Sequence, residues 1–255
     1  MGPTEEVYPM EDTGAGIYKR RIMSTKIAIQ GKVAGLPMLL VLLVLAAGCT
    51  ANRTVRDDLA LRFDSQRRDL TVAYLRDRYG LDTDSPEIRP QMVVLHWTAI
   101  PDLNESHAAF APGRLPNTRP DIRDAGALNV SAHYLVDRDG TVYRLLPDTV
   151  MARHVIGLNH CAIGIENVGG TPETPLTRAQ LKANIRLVRE LAGRHPIRYL
   201  IGHSEYTRFQ NHSLWLERDS TYRTEKTDPG ISFMQSVRRA VRDLDLQGPP
   251  QTPNP

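Results

Sequence analysis

The chain has 255 residues and a formal net charge of +3, with a pI near 8.9. That balance is only mildly basic. It suits an anionic polymer, and it gives no argument for nucleic acid, because no basic stripe interleaved with aromatics runs through the sequence. No nucleotide-binding Gly loop and no internal repeat are found either. With only two cysteines, Cys49 and Cys161, a disulfide framework is excluded as the source of stability if Cys49 is otherwise used.

The first element in chain order is LPMLLVLLVLAAGC, residues 36–49, an apolar run ending in small residues and a cysteine. It is short of the ~20 apolar residues that a membrane span needs. With Lys26 and Lys32 upstream as a positive region, it reads as the apolar part of a secretory signal. LAAGC resembles the bacterial lipobox, whose cysteine is lipidated and becomes the mature N-terminus. A plain signal peptide and a short anchor helix are the alternatives. Residues 1–22 precede an internal Met23 and read as a misplaced start. The expected organisation is a signal peptide over 1–48, a lipidated polar linker over 49–56 beginning at Cys49, one domain over 57–246, and a disordered Pro-rich tail over 247–255. The domain is long enough to bury a core of its own.

Within the domain the pattern is mixed α and β. Residues 57–79 read as a polar helix stopped by Gly80. Residues 91–97 form a strand, and the Pro- and Gly-containing stretch 101–130 reads as a long loop. A hairpin is expected over 133–136 and 141–145, turning at Asp139-Gly140. Residues 162–168 make another strand. The helix over 177–194 is the clearest: Thr177 and Gln180 make a capping box, and Leu181, Ile185, Val188 and Ala192 recur at helical spacing. A short buried strand over 199–201 follows. Phe233, Val237, Val241 and Leu244 mark a last amphipathic helix.

The chemistry-bearing residues fall in five short segments: LHWTA (His96), SAHYLVDRDGTVYRL (His133), IGIENVG (Glu166), IGHSEY (His203) and EKTDPG (Lys226, Asp228). Imidazoles, carboxylates and a lysine are the groups that hold a hydrolytic zinc ion and work a water molecule on it. Read one at a time the segments are bland. A histidine at a strand end is more often structural than a ligand, Asp228 fits an ordinary Asp-Pro turn, and Glu166 fits a salt-bridged strand residue. No close-spaced ligand pair such as H-E-x-x-H is present.

Taken in order, over roughly residues 60–245, the segments resemble those of the zinc-dependent N-acetylmuramoyl-L-alanine amidases of the amidase-2 type. That family includes T7-lysozyme-like phage enzymes and animal peptidoglycan recognition proteins. The resemblance implies an α/β fold with a mixed central sheet flanked by helices. It implies Zn2+ held by His96, His203 and Asp228, leaving a fourth position for water. It also implies Glu166 as the residue that handles the proton. If Asp228 binds the metal, Lys226, two residues before it, lies close enough to stabilise the oxyanion; a solvated loop lysine paired with Glu225 is the alternative. His133 is expected as a wall or supporting group, and His154, in MARHVIG, as a substrate contact. The implied substrate is peptidoglycan or a muropeptide, cut between N-acetylmuramic acid and L-alanine. A non-catalytic binding module of the same fold is the alternative. A monomer is expected, attached through the lipid on Cys49. Thr50 after the cysteine, in place of Asp, favours the outer membrane facing the periplasm.

Two departures from the family pattern stand out. Arg153 occupies a place where the family usually has Trp. Residues 206–225, carrying Phe209, Trp215, Leu216 and Tyr222, separate His203 from Asp228, which lie close in sequence in short members. These aromatics either cap the cleft or pack into the domain. Cys161 reads as a buried small hydrophobe, and His107, His195 and His212 as loop or surface residues.

Overall fold

The computed structural model describes residues 55–117, 120–123 and 125–251. The signal segment 1–48, Cys49 with most of the linker, and residues 252–255 of the tail lie outside the described residues. Five strands, β1 (Met92–Leu95), β2 (Tyr134–Val136), β3 (Val142–Arg144), β4 (Ala162–Asn167) and β5 (Tyr199–Gly202), form one sheet in the order β3-β2-β4-β1-β5. The β2–β3 hairpin is antiparallel, and the other pairs are parallel. This is the mixed sheet that the resemblance implies. Parallel strands covered on both faces read as unbroken apolar runs, and β1, sequence MVVL, is buried at every position.

One face of the sheet presents Val93, Leu95, Ile163, Ile165 and Leu200. Helices α4 (Arg178–Arg194) and α5 (Ile231–Ala240) cover it with Leu187, Val188, Leu191, Met234 and Val237. Each such side chain, fully buried, stabilises the fold by about 1.5–3 kcal/mol. The N-terminus of α4 is closed as its sequence predicts. Gln180 N–H donates to Thr177 Oγ1 at 3.0 Å, and Thr177 N–H donates to Gln180 Oε1 at 2.9 Å. Met92, Val94, Ala162 and Ile201 face the other way, under Val155, Leu158, Tyr206 and Phe209. Among the described residues, no helix is long and apolar enough to cross a membrane.

Helix α1 (Ser65–Tyr79) begins at Ser65, not at 57. Asp64 accepts from the Arg67 N–H at 3.0 Å, a side-chain cap that starts the helix there. The residues before it run along the sheet edge: Arg56 N–H donates to Val142 O and Leu61 N–H to Leu145 O. Residues 55 and 56, expected in the linker, therefore belong to the folded part. Gly80 ends α1 in the left-handed conformation, as expected. The stretch expected as a loop over 101–130 contains α2 (Leu103–Phe110) and the short α3 (Pro120–Arg123). The missed signal is Asp102 followed by Glu105: the Asp102 carboxylate caps the Glu105 N–H at 2.9 Å. At the other end, Gln247 pairs with β5 through Leu200 N–H to Gln247 O at 2.9 Å. The disorder expected from residue 247 onward is corrected for that residue, because β5 offers it an open edge.

His133, just before β2, is fully buried. Its Nε2 donates to Val150 O at 2.9 Å, and its Nδ1 accepts the Gly164 N–H at 2.9 Å. The neutral ring thus joins β4 to the segment after β3. Burial pushes His133 from its ordinary 6.5 down to about 4, and burial does the same to His160. Between those values the unfolded chain binds a proton that the folded chain does not. Stability is therefore complete above pH ~6.5 and declines as pH falls toward ~4. For His133 the loss is on the order of 3 kcal/mol. Denaturant unfolding with chelator present, at pH 7 and pH 4.5, measures it, and equal unfolding free energies at the two pH values would overturn the account.

Candidate active site

Three strands deliver side chains to one place. His96 follows β1, Glu166 lies in β4, and His203 follows β5. His96 N–H donates to Ile165 O at 2.8 Å, and Asn167 N–H donates to His96 O at 3.2 Å. Glu166 therefore stands beside His96 on the neighbouring strand, with both side chains on the Val94 face. Asp228 arrives from far along the chain. Ser204 N–H donates to Asp228 O at 2.9 Å, and Pro229 packs onto Gly202, where a Cβ would lie 2.9 Å from Pro229 Cδ. The glycine before His203 thus admits the turn that carries Asp228.

The result is a buried cluster of His96, His203 and Asp228, with ligand atoms within 4.8 Å of one another. Asp228 Oδ2 is 3.0 Å from His203 Nδ1 and 3.3 Å from His96 Nδ1. Donors at the corners of a zinc tetrahedron, bonded at ~2.0–2.1 Å, stand ~3.3 Å apart. Two imidazoles and one carboxylate at this spacing fit such an ion. Their protonation states fit as well. Burial would raise the Asp228 carboxyl, but the charge and hydrogen bond of His203, with the His96 ring close by, outweigh it and hold Asp228 below the usual carboxylate range. Burial, with His96 adding to it, pushes His203 down to about 4. A carboxylate and neutral rings are the forms a metal requires.

His203 and Asp228 line a cleft of about 540 Å³ together with Trp97, Glu166 and Lys226, among others, and His96 is buried directly behind them. Glu166 is almost wholly buried. Lys226, half-buried on the rim, is close enough for its charge to contribute to lowering His203. His154 also lines the cleft. Burial, reinforced by His96 and His133, drives its ring well below the ordinary histidine value. His133 is not among the lining residues, and its two ring nitrogens are bonded to Val150 O and the Gly164 N–H. It supports β4 from behind and forms no part of the cleft wall.

Arg153 builds the wall where the family usually has Trp. Its buried guanidinium donates to Ile122 O at 2.7 Å, Gly126 O at 3.1 Å, Leu128 O at 2.5 Å and the Tyr222 hydroxyl at 3.2 Å. It lies over the Tyr74 ring, 5.1 Å from the centroid. One side chain thereby ties the segment around α3 and the 206–225 excursion to the strand side of the cleft. The sequence showed the Arg but not its partners, which are three main-chain carbonyls and one tyrosine hydroxyl.

The excursion divides in two. Phe209 is fully buried, and Trp215 packs against Tyr206 at a centroid distance of 6.1 Å. The Trp215 indole also covers Gly157, where a Cβ would lie 2.6 Å from it. Glu217 is buried against Arg78 at 2.7 Å, fastening the excursion to α1. Only its last residues, with Tyr222, Thr224 and Glu225, reach the cleft. Three further histidines are engaged elsewhere: His107 with Leu59 O, His195 with Asp148, and His212 with Tyr199. Cys161 is a buried free thiol.

Comparison with known sequences agrees with this arrangement. The family model Amidase_2, described as N-acetylmuramoyl-L-alanine amidase, matches residues 86–231. The chain belongs to that family. It is similar to the 1,6-anhydro-N-acetylmuramyl-L-alanine amidase AmpD of Enterobacter cloacae, 30% identical over 159 residues, 57% of this chain and 76% of that protein. It is also similar to the endolysin of Enterobacteria phage K11, 31% identical over 88 residues, 32% of this chain, and spans 58% of that endolysin's length. Among solved structures, the N-acetylmuramoyl-L-alanine amidase LysC from Clostridium intestinale URNW is similar at 22% identity with a TM-score of 0.44, covering 62% of this chain and 89% of that one.

Trp215→Ala is expected to lower stability by about 2 kcal/mol, less than for a fully buried aromatic because the indole is only partly buried. Tyr222→Phe, which removes one hydroxyl partner of Arg153, is expected to cost only about 1 kcal/mol. Denaturant unfolding compares them, and an unchanged midpoint for Trp215→Ala would overturn its assignment to the packed half of the excursion.

Proposed function

We propose that the chain is a zinc amidase that hydrolyses the amide bond between N-acetylmuramic acid and L-alanine in peptidoglycan or muropeptides. The observation that carries this reading is the buried cluster of His96, His203 and Asp228, two of which, His203 and Asp228, line a cleft together with Glu166 and Lys226. Membership of the amidase family supports the same reaction class.

His96, His203 and Asp228 would hold the ion. Bound there, zinc supplies a Lewis acid and lowers the pKa of a water molecule toward ~7. Glu166, beside His96, takes the proton of the water that attacks the amide carbonyl carbon. It then delivers that proton to the departing alanine nitrogen, so the carboxylate is regenerated. Lys226, which also lines the cleft, donates to the carbonyl oxygen as it gains negative charge. Burial of the cluster strengthens these interactions by excluding bulk water.

Purified protein is expected to carry about one zinc per chain, and His96→Ala to lose it. Glu166→Gln is expected to keep the metal and to slow muropeptide cleavage by ~10²-fold or more. Zinc content and mass spectrometry of muropeptide digests measure both. Wild-type turnover in Glu166→Gln would remove that residue from the mechanism. Intact muropeptides after incubation with zinc-loaded protein would leave a binding module.

We further propose attachment through a lipid on Cys49, on the grounds of LAAGC and the following Thr50. Two or more acyl chains give stable membrane attachment where one is marginal. Labelled fatty acid is expected to enter the protein, and Cys49→Ser to abolish both labelling and membrane retention. An unmodified mature N-terminus beyond Cys49 would overturn the proposal.

A further inference from the structure

His96 is held from behind by a chain of two hydrogen bonds. Its Nε2 lies 3.0 Å from His154 Nδ1, and His154 Nε2 lies 3.2 Å from Ala162 O. A carbonyl oxygen only accepts, so His154 carries its proton on Nε2. The buried ring is neutral and carries one proton, so with Nε2 as the donor the other nitrogen has only its lone pair. His154 Nδ1 is therefore an acceptor, and the proton between the two rings belongs to His96 Nε2. With a cation between them, His96 Nδ1 and Asp228 Oδ2, 3.3 Å apart, would both turn lone pairs to it.

We propose that His154 is a positioning residue for the metal site: by accepting the His96 Nε2 proton it fixes the tautomer and ring orientation in which His96 Nδ1 binds zinc. The inference rests on the zinc reading above and deepens it. Supporting hydrogen bonds of this kind hold a ligating imidazole in one tautomer and raise its basicity, and their loss weakens metal binding by about 10–100-fold.

The seat of His154 is built by three separate segments. Its own N–H and that of Val155 both donate to Asn159 Oδ1 at 2.8 Å, which fixes the backbone. Its ring stands edge to face between His96 and His133, at centroid distances of 5.1 and 5.7 Å. Beneath it lies Gly164, where a Cβ would come within 2.7 Å of His154 Cγ. Gly164 sits in mid-strand with backbone neighbours on both sides, so the strand cannot retreat, and any larger residue displaces the imidazole. The Gly164 N–H is in turn held by His133. The glycine of IGIE, the histidine of SAHY and the histidine of MARHVIG thus form one support for a single ligand.

Zinc Kd, measured by competition with a chromogenic chelator, tests this on wild type, His154→Phe, His154→Gln and Gly164→Ala. His154→Phe keeps the ring and removes the acceptor, so its Kd is expected to rise by about 10–100-fold. His154→Gln keeps an acceptor for His96 and a donor for Ala162 O, so its Kd is expected to stay within a few-fold of wild type. Gly164→Ala is expected to follow His154→Phe. Melting of the zinc-free proteins checks that all remain folded. A second readout uses wild type alone and stands even if a variant fails to fold: 15N shifts of the zinc-loaded protein are expected to show His96 protonated on Nε2 and His154 on Nε2. Zinc binding by wild type with an unchanged Kd in His154→Phe would overturn this inference and leave the zinc reading intact. A His96 ring protonated on Nδ1 would do the same. A wild type that takes up no zinc would overturn the zinc reading first and this inference with it.

Discussion

Asp228 is buried between the Nδ1 atoms of His203 and His96, 3.0 and 3.3 Å away. A carboxylate in that position, without neighbouring positive or hydrogen-bonding groups, would cost several kcal/mol. Everything around it is arranged to meet that demand. The β1 and β5 strand ends supply the imidazoles. Gly202 leaves room for Pro229, and the Ser204 N–H holds the Asp228 carbonyl. Burial keeps His203 neutral, and the two imidazoles outweigh burial to keep Asp228 ionised, so a group that is awkward for an apolar core is well suited to a divalent cation.

The sheet explains why the cluster can be so tight. Parallel strands ending together place successive side chains at fixed spacing, and the order β4-β1-β5 puts Glu166, His96 and His203 on adjacent strand ends. Helices α4 and α5 occupy the opposite face entirely. The face that carries the cluster is covered by irregular segments instead, among them 151–161 and the 206–225 excursion. Such segments rest on specific polar contacts rather than on regular packing. Arg153, with four hydrogen bonds to three carbonyls and a hydroxyl, is the chief of these on the cleft side. Glu217 against Arg78 does the equivalent work on the outer side.

Much of the regular structure was legible in the residue pattern. The Thr177–Gln180 capping box marks the start of α4, and its apolar spacing marks the buried face. The Asp139-Gly140 turn sets the β2–β3 hairpin. The apolar runs of β1, β4 and β5 are found within a residue or two of where they are expected. The errors share a cause, since each was decided by a local polar contact or by an open edge. Asp64 and Asp102 cap helices that composition alone did not delimit. Arg56 and Gln247 join the sheet because unpaired strand edges accept them.

For the site, the sequence by itself determined which chemistry was available: the residue types His96, Glu166, His203, Lys226 and Asp228, their order, and the family to which they belong. It did not determine distances, because no two of the three clustered ligands lie within one turn of helix or one strand, and contacts of such sequence separation are fixed only when the sheet forms. Nor could it say what His133, His154 and Gly164 do. Their roles depend on ring edges, lone pairs and the absence of a single Cβ, which exist only once β4 passes beneath His154. The excursion was undecided in the sequence for the same reason: Trp215 and Tyr222 are both aromatic, and only packing seats Trp215 against Tyr206 and Gly157 and brings Tyr222 to the cleft.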